Sequence, residues 1–221
     1  MPLRNTARYP MPLLIGFWVC VAISIAVVIR RMVLLREPAN DGAKPLAQIN
    51  ATFSAHATLT LAHIVPALLF VLLAVGVLFR LSSAKWLPRL FFLFGAITGL
   101  TAYAMNVYAI GGWIERSAVL VFDTWFLVSL SRAWWLYLKG ERQKQREWAT
   151  RAIGILLGIA TTRPVMGVFF ATSPLTHLSP QQFFGIAFWI GFSINAVVVE
   201  LWLRSRRRAE IHTSELASQH A

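Results

Sequence analysis

Six long and mostly apolar runs limit this chain to one broad class of fold. Residues 9–29 contain no charged side chain, and that run ends at Arg30 and Arg31. A helix needs roughly 20 apolar residues to cross ~30 Å of hydrocarbon. The other runs have similar lengths, so we predict spans at about 9–33, 55–80, 88–112, 113–138, 148–171 and 182–204. The pattern predicts an all-α polytopic membrane protein, a six-transmembrane-helix bundle that forms a single membrane domain over residues 9–204.

The amino-acid composition excludes the other common classes of protein. Of the 221 residues, 57% are apolar and 14% are charged, whereas a soluble domain typically has about 25% charged residues. The single cysteine excludes a disulfide framework and a zinc site built from cysteines. The chain therefore reads as a membrane protein rather than a soluble or disulfide-rich domain.

The distribution of basic residues favours one orientation in the membrane. If the six spans alternate, most of the 21 Lys and Arg residues fall on the side of the N-terminus. Lys and Arg are enriched in cytoplasmic loops, so we predict a cytoplasmic N-terminus over 1–8 and a basic, polar, frayed cytoplasmic tail over 205–221. Anionic lipid beside the spans explains the net charge of +12. We expect the lipid bilayer of a bacterial inner membrane as the partner, and no nucleic acid.

Five polar residues are predicted to reach similar depths in the outer half of the bilayer: His63, Asp123, Arg163, Asn106 and Tyr103. Ionisable groups inside a span are costly and usually face the bundle interior, where they mark functional sites. We therefore predict an outward-facing polar pocket that binds a ligand. Two structural alternatives stay open. In the first alternative, Asp123 and Arg163 form a buried ion pair that sets helix register. In the second, His63 is an interior histidine that is satisfied by hydrogen bonds.

The second span carries a polar stripe along one helical face. Thr52, His56, Thr60 and His63 recur at intervals of four, four and three residues, which places them on one side of an α-helix. A helix surrounded by lipid does not need such a stripe. We therefore expect this face to point into the bundle.

A second polar group is predicted near the cytoplasmic face, consisting of Arg80, Arg132, Arg151, Asn195 and Glu200. Glu200 is the only acid among three arginines there. It is expected to pair with Arg151 or Arg80 and to hold two spans together, so this inner polar cluster is structural or functional.

Two glycine pairs predict close approaches between helices. Gly95-x-x-x-Gly99 lies in the third span and Gly154-x-x-x-Gly158 in the fifth. Small residues four positions apart share one helix face and let two backbones approach closely in a membrane. The two motifs favour a compact bundle.

From His63 onward, the chain resembles a bacterial membrane-protein family known as domain of unknown function 2306. The residues that carry the resemblance are His63-Ile64-Val65-Pro66, Arg80, Lys85-Trp86-Leu87-Pro88-Arg89, Gly111-Gly112, Trp125, Gln145-Arg146-Glu147-Trp148-Ala149-Thr150-Arg151, Arg163, Asn195 and Glu200. Ala84 and Gln145 occupy positions where the family has histidine, and Pro88 replaces a family glycine. The resemblance implies a helical membrane fold and points to His63, Arg151, Arg163 and Glu200, but it implies no reaction.

Three functions agree with these patterns. The first is binding or passage of a small ligand or a proton through the buried polar pocket. The second is a haem- or quinone-binding redox protein, in which His63 is the only buried candidate for a metal ligand. The third is a non-catalytic assembly or scaffold subunit, with a protein partner or homo-oligomer left open. The sequence has no phosphate-binding loop, zinc-protease motif or nucleophile elbow, and no nucleophile paired with an evident base. An enzyme is therefore the less expected class, and no catalytic residue is assigned.

Overall fold

The computed structural model describes residues 9–36, 44–79, 81, 84 and 86–219, and these residues form α-helices and no strand. For residues 44–48 and 213–219 only the backbone is described. The helices are α1 (Met11–Arg36), α2 (Lys44–Ala55), α3 (Ala57–Phe79), α4 (Trp86–Asn106), α5 (Gly112–Leu138), α6 (Arg142–Leu156), α7 (Gly158–Thr176) and α8 (Pro180–Gln219). The predicted all-α class is confirmed.

The predicted number of spans is also confirmed. Six helical segments are long and apolar enough to cross a membrane: α1, α3, α4, α5, α8 and the continuous stretch Arg142–Thr176, which contains α6 and α7. These segments define a multi-pass membrane protein. The short helix α2 was not predicted, because it lies in the first connection and has no long apolar run.

Some helix bounds differ from the predicted spans. The third span ends at Asn106 rather than near residue 112, because residues 107–111 form the connection to α5 and Gly112 has φ +60°. We expected residues 205–221 to be frayed, but α8 continues through Gln219. An ion pair of Arg206 with Glu210 in the next turn (3.1 Å) and one of Arg207 with Glu147 of α6 hold this extension.

Leu157 interrupts the fifth span. Its carbonyl oxygen accepts a bond from the Ala160 N–H at 3.0 Å and a longer one from the Thr161 N–H at 3.4 Å. The tighter i+3 bond marks a local change of helix geometry. This change of geometry separates α6 from α7. Arg151 of the inner polar group lies before it in the chain, and Arg163 of the outer polar group lies after it.

The bundle has two ends, which we name from the elements they contain. At the terminus end, the Tyr9 ring lies 5.2 Å from that of Trp202 and 6.0 Å from that of Phe79. The loop end contains α2 and the connections 107–111 and 177–179. The predicted cytoplasmic segment 1–8 lies outside the described residues. The placement of the terminus end in the cytoplasm stays a prediction.

The most extensive helix contacts are those of α3 with α4, α5 with α6 and α7 with α8, and α5 also contacts α4 and α8. An aromatic cluster fills the centre: the Phe70 ring lies 4.5 Å from that of Phe91 and 5.5 Å from that of Phe126. All three side chains are fully buried. Because lipid tails are as apolar as these rings, close packing rather than exclusion from water must hold the helices together.

The predicted glycine contacts are confirmed. A Cβ atom on Gly99 would lie 2.7 Å from Cγ of Leu127 in α5, and one on Gly158 would lie 2.9 Å from Cα of Phe192 in α8. Two further glycines of α8 make even closer approaches. A Cβ on Gly185 would lie 2.6 Å from the backbone nitrogen of Glu115, and one on Gly191 would lie 2.6 Å from that of Thr162. The α8 backbone therefore touches both α5 and α7.

Candidate functional site

A cavity of about 230 Å³ lies inside the bundle, and all six spans contribute to its wall. The lining residues come from the C-terminal halves of α1 and α4 and the N-terminal halves of α3, α5 and α8. The cavity therefore occupies the loop-end half of the bundle. Its wall is mostly apolar and includes Phe122, Phe126 and Phe188. An apolar cavity with a few polar groups is the usual form of a small-molecule site.

Four of the five residues predicted for the outer pocket line this cavity: His63, Asp123, Arg163 and Asn106. Tyr103 does not line it. Its hydroxyl oxygen lies 2.6 Å from the hydroxyl oxygen of Thr124, in a separate groove between α4 and α5. Tyr103 follows Gly99 by one helical turn, and Gly99 packs against α5. Tyr103 therefore has the predicted depth, but it lies on the side of α4 that faces α5 rather than on the side that faces the cavity.

The polar stripe of the second span faces the bundle interior as predicted, since Thr52, His56, Thr60 and His63 all line the cavity. The His56 ring stacks on Tyr108 with 3.6 Å between ring centroids. His56 is the turn residue that joins α2 to α3, and Tyr108 lies in the connection between α4 and α5. The stacked pair forms part of the wall at the loop end.

His63 is held by α4 in a defined way. Its Nδ1 atom lies 3.2 Å from the Thr98 carbonyl oxygen and 3.1 Å from the Thr101 hydroxyl oxygen. The Thr101 hydroxyl donates to the Ile97 carbonyl at 2.7 Å, so its oxygen accepts from Nδ1. Nδ1 therefore carries the proton, and Nε2 of the neutral ring is an acceptor. Among the described residues, no side chain donates to Nε2.

Asp123 and Arg163 both line the cavity but do not form the predicted ion pair within the described part of the chain. The physical reason is that the two side chains point towards different neighbours. An Asp123 carboxylate oxygen lies 3.2 Å from the position of a Cβ on Gly99, so the group points towards α4. The Arg163 guanidinium instead interacts electrostatically with Arg30, Arg31 and Glu115. Its only hydrogen-bond contact with the described residues is a weak one, from Nη1 to Sδ of Met166 at 3.9 Å.

Three residues in the cavity wall carry a buried polar atom without a hydrogen-bond partner among the described residues. These atoms are Oδ1 of Asn106, Oδ2 of Asp123 and Nε of Arg163. Most buried polar atoms in folded proteins are hydrogen-bonded, so each exception needs an explanation. Here the exceptions include one acid and one base in the same cavity.

Two charged residues of the cavity wall were not predicted from the sequence. Arg31 donates from Nη1 to Oδ1 of Asn50 at 3.0 Å, and its guanidinium lies 4.2 Å from the centroid of Phe53. Glu115 accepts a hydrogen bond from the Gly111 N–H at 2.6 Å. Both lie at span ends, where charge is ordinarily a topological signal.

The inner polar cluster comes together only in part. Arg151 donates from Nε and Nη2 to the two carboxylate oxygens of Glu200, at 2.8 and 3.2 Å, and so joins α6 to α8 as predicted. Asn195 lies deeper, where it accepts from Thr161 at 2.7 Å and donates to the Gly154 carbonyl at 3.1 Å. Arg132 is exposed on α5 and forms no ion pair among the described residues, but its guanidinium and that of Arg151 lie over the same Trp148 ring, 5.4 and 4.7 Å from the centroid. Arg80 lies outside the described residues.

The fold and the site together define a multi-pass helical membrane protein with an internal cavity whose wall contains several polar side chains. The chain matches no family model, no curated protein and no solved structure. The resemblance to domain of unknown function 2306 therefore stays a prediction. Within the described residues, no group of three His, Cys, Asp or Glu side chains is placed to hold a metal ion.

Proposed function

We propose that this protein binds a small amphipathic ligand inside the membrane, in the cavity that contains Arg163 and Asp123. One observation carries the proposal: both residues line the cavity with a buried atom that has no partner among the described residues, and they do not pair with each other. A charged side chain inside a bilayer costs about 2.5–3.5 kcal/mol even on the lowest scales. A ligand that supplies the missing partners offsets this cost.

The charges around Arg163 favour an anionic group on the ligand. Arg30 and Arg31 add to its positive charge, and Glu115 is the one acid that interacts with it electrostatically. Glu115 is already engaged by the backbone N–H of Gly111. A carboxylate accepts readily from guanidinium N–H groups. The ligand's anionic group is therefore placed at Arg163.

The other polar residues of the wall favour a hydrogen-bond donor. Oδ2 of Asp123 and Oδ1 of Asn106 are acceptors without partners in the described chain. Nε2 of His63 is a third acceptor, because Nδ1 carries the proton. A hydroxyl group donates to any of these atoms. The apolar part of the wall, which includes Phe122, Phe126 and Phe188, accommodates a ring or a short chain.

The cavity volume limits the size of the ligand. At about 230 Å³, it is half as large again as the engineered cavity of about 150 Å³ that binds benzene. This volume favours a ligand of about ten non-hydrogen atoms over a haem macrocycle. The haem or quinone alternative and the scaffold alternative stay predictions. An oxidised and a reduced visible spectrum of the purified protein tests for haem.

In this proposal the protein lies in a bacterial inner membrane with both termini in the cytoplasm, so the cavity faces outward. The basic terminus end supports this orientation. The role is binding or transport rather than catalysis. The proposal does not depend on membership of the family that the sequence resembles.

A probe built from these features is 4-hydroxybenzoate, which has a carboxylate, a ring and a hydroxyl group. We expect it to raise the thermal stability of the detergent-purified protein in a saturable way, because a ligand that binds the folded state stabilises it. Benzoate lacks the donor and phenol lacks the anion, so each is expected to bind about tenfold more weakly. Isothermal titration calorimetry gives the three affinities.

Two variants locate the binding site. Arg163→Gln is expected to weaken 4-hydroxybenzoate at least tenfold, since a buried charge partner typically contributes more than about 1.4 kcal/mol. Asp123→Ala is expected to abolish the difference between 4-hydroxybenzoate and benzoate. Arg208→Gln, which removes an exposed charge of α8, is the control and should bind like the wild type. Binding that none of these changes affects would place the site elsewhere and refute the proposal.

A further inference from the structure

The terminus end contains four described carboxylates, and every one already has a basic partner. The closest pairs are Glu141 with Lys144 at 2.8 Å, Glu147 with Arg207, Glu200 with Arg151 at 2.8 Å, and Glu210 with Arg206 at 3.1 Å. The acids at this end are therefore used within the protein. Glu200 has a second basic partner as well, since Nε of Arg204 lies 3.8 Å from its carboxylate.

Three cations near the α5–α6 connection contact aromatic rings instead. The Arg132 guanidinium lies 5.7 Å from the centroid of Trp135 and 5.4 Å from that of Trp148. The Lys139 ammonium lies 3.8 Å from the same Trp135 ring, and Arg142 lies 4.8 Å from Tyr137. Within the described part of the chain, none of the three forms an ion pair. A cation over an aromatic face keeps its charge and most of its donors.

The same face continues into the membrane as a groove. Between α4 and α5 lies a depression of about 370 Å³, lined by Tyr103, Thr124, Leu127, Val128, Ser131 and Arg132. Thr124 and Arg132 are eight residues apart, which corresponds to about 12 Å along a helix. The exposed residues Val128, Arg132 and Trp135 follow one stripe of α5. The groove thus runs from the paired hydroxyl groups of Tyr103 and Thr124, past Leu127 and Val128, to the cationic group that includes Arg132.

We infer that this face of α5 is a binding site for an anionic phospholipid. The headgroup phosphate contacts Arg132 and Lys139 beside Trp135, and an acyl chain lies in the groove between α4 and α5. The arrangement fits this occupant because the cations lie beside tryptophans, which favour the headgroup level of a bilayer, and the groove below is open to lipid. A second copy of the chain is a poor occupant, since it would bring the same positive charges to the interface.

Native mass spectrometry of the delipidated protein tests the inference. The protein is titrated in detergent with dioleoyl phosphatidylglycerol or with zwitterionic dioleoyl phosphatidylcholine. We expect one phosphatidylglycerol molecule to bind at least tenfold more tightly than phosphatidylcholine. The double variant Arg132→Gln/Lys139→Gln is expected to lose about tenfold or more of the phosphatidylglycerol affinity, because each cation near a lipid surface attracts anionic headgroups. Equal binding of the two lipids would overturn the inference.

A control variant distinguishes this site from general positive charge. Arg204→Gln/Arg208→Gln removes the same charge at the same end of the bundle, leaves Glu200 paired with Arg151, and should keep the wild-type preference. If the control loses as much affinity as the double variant, the attraction is diffuse and the site is refuted. Val128→Trp fills the groove without a change of charge and is expected to weaken phosphatidylglycerol binding severalfold. Unchanged binding by this variant would overturn the placement of the acyl chain.

Discussion

Arg151→Met is expected to lower the free energy of unfolding by about 3 kcal/mol, because removing one partner of a buried ion pair leaves the other charge uncompensated. Arg151 is buried and donates two hydrogen bonds to Glu200. Among the described residues, the remaining carboxylate would keep one ion-pair partner, Arg204, whose Nε lies 3.8 Å away. The change is measured as a shift of the SDS-induced unfolding transition of the purified protein.

Arg163→Met is the matched control, since it makes the same substitution twelve residues later in the same continuous span. Arg163 has no ion pair in the described part of the chain and only a weak contact with Met166. Its replacement in ligand-free protein is therefore expected to leave stability unchanged or to raise it, as happens when an uncompensated charge is replaced by an apolar group. A loss equal to that of Arg151→Met would contradict this account of the cavity.

A double substitution isolates the Arg151 pair itself. Arg151→Met combined with Glu200→Met replaces both charges by apolar groups of similar size. We expect this variant to be more stable than Arg151→Met alone, because no unpaired charge remains. If the two substitutions simply add, the pair does not couple α6 to α8 in the way the geometry indicates.

Gly191→Val is expected to prevent recovery of folded protein. A Cβ at this position would lie 2.6 Å from the backbone nitrogen of Thr162 and 2.7 Å from its Cα. Backbone atoms cannot move aside like the end of a side chain, so α8 would have to separate from α7 along its length. Overpacking a core commonly costs 1–3 kcal/mol, and we expect more than about 3 kcal/mol when two helix backbones are forced apart. Size-exclusion chromatography in detergent measures the yield of monodisperse protein.

Gly167→Val provides the control for this result. Gly167 lies on α7 with nothing within 4 Å of the position of its Cβ, and it is exposed. The same substitution there is expected to give a wild-type elution profile and yield. Loss of folded protein in both variants would show that valine harms this segment for a reason other than the α7–α8 contact.

The membrane spans were predictable because each is a local property of the chain. An apolar run of about 20 residues cannot be covered by anything but lipid or other spans, so the six runs correspond to six helical segments. The helix α2 could not be found in this way, because 12 residues are too few to span and its mean apolarity is low. The Gly185 contact was also not predicted. The prediction relied on two glycines spaced four residues apart, whereas Gly185 is a single glycine that contacts the backbone of a distant helix.

The candidate site was predictable in depth but not in direction. Counting residues from the membrane interface brought His63, Asp123, Arg163 and Asn106 to one level, and all four line the cavity. Tyr103 has the same depth but lies at the edge of α4 next to α5. Arg31 and Glu115 were passed over, because a charge at the end of a span is usually explained by contact with water.

Composition and the spacing of charges therefore account for the class of fold, the number of spans and their order. These depend on the free energy of transferring each residue between water and lipid, which neighbouring helices change little. The partners of Asp123 and Arg163 depend instead on helix rotation, which is set by contacts such as Gly99 with Leu127 and Gly191 with Thr162. Those contacts join residues far apart in the chain. No local pattern could show that this acid and this base share a cavity without contacting each other.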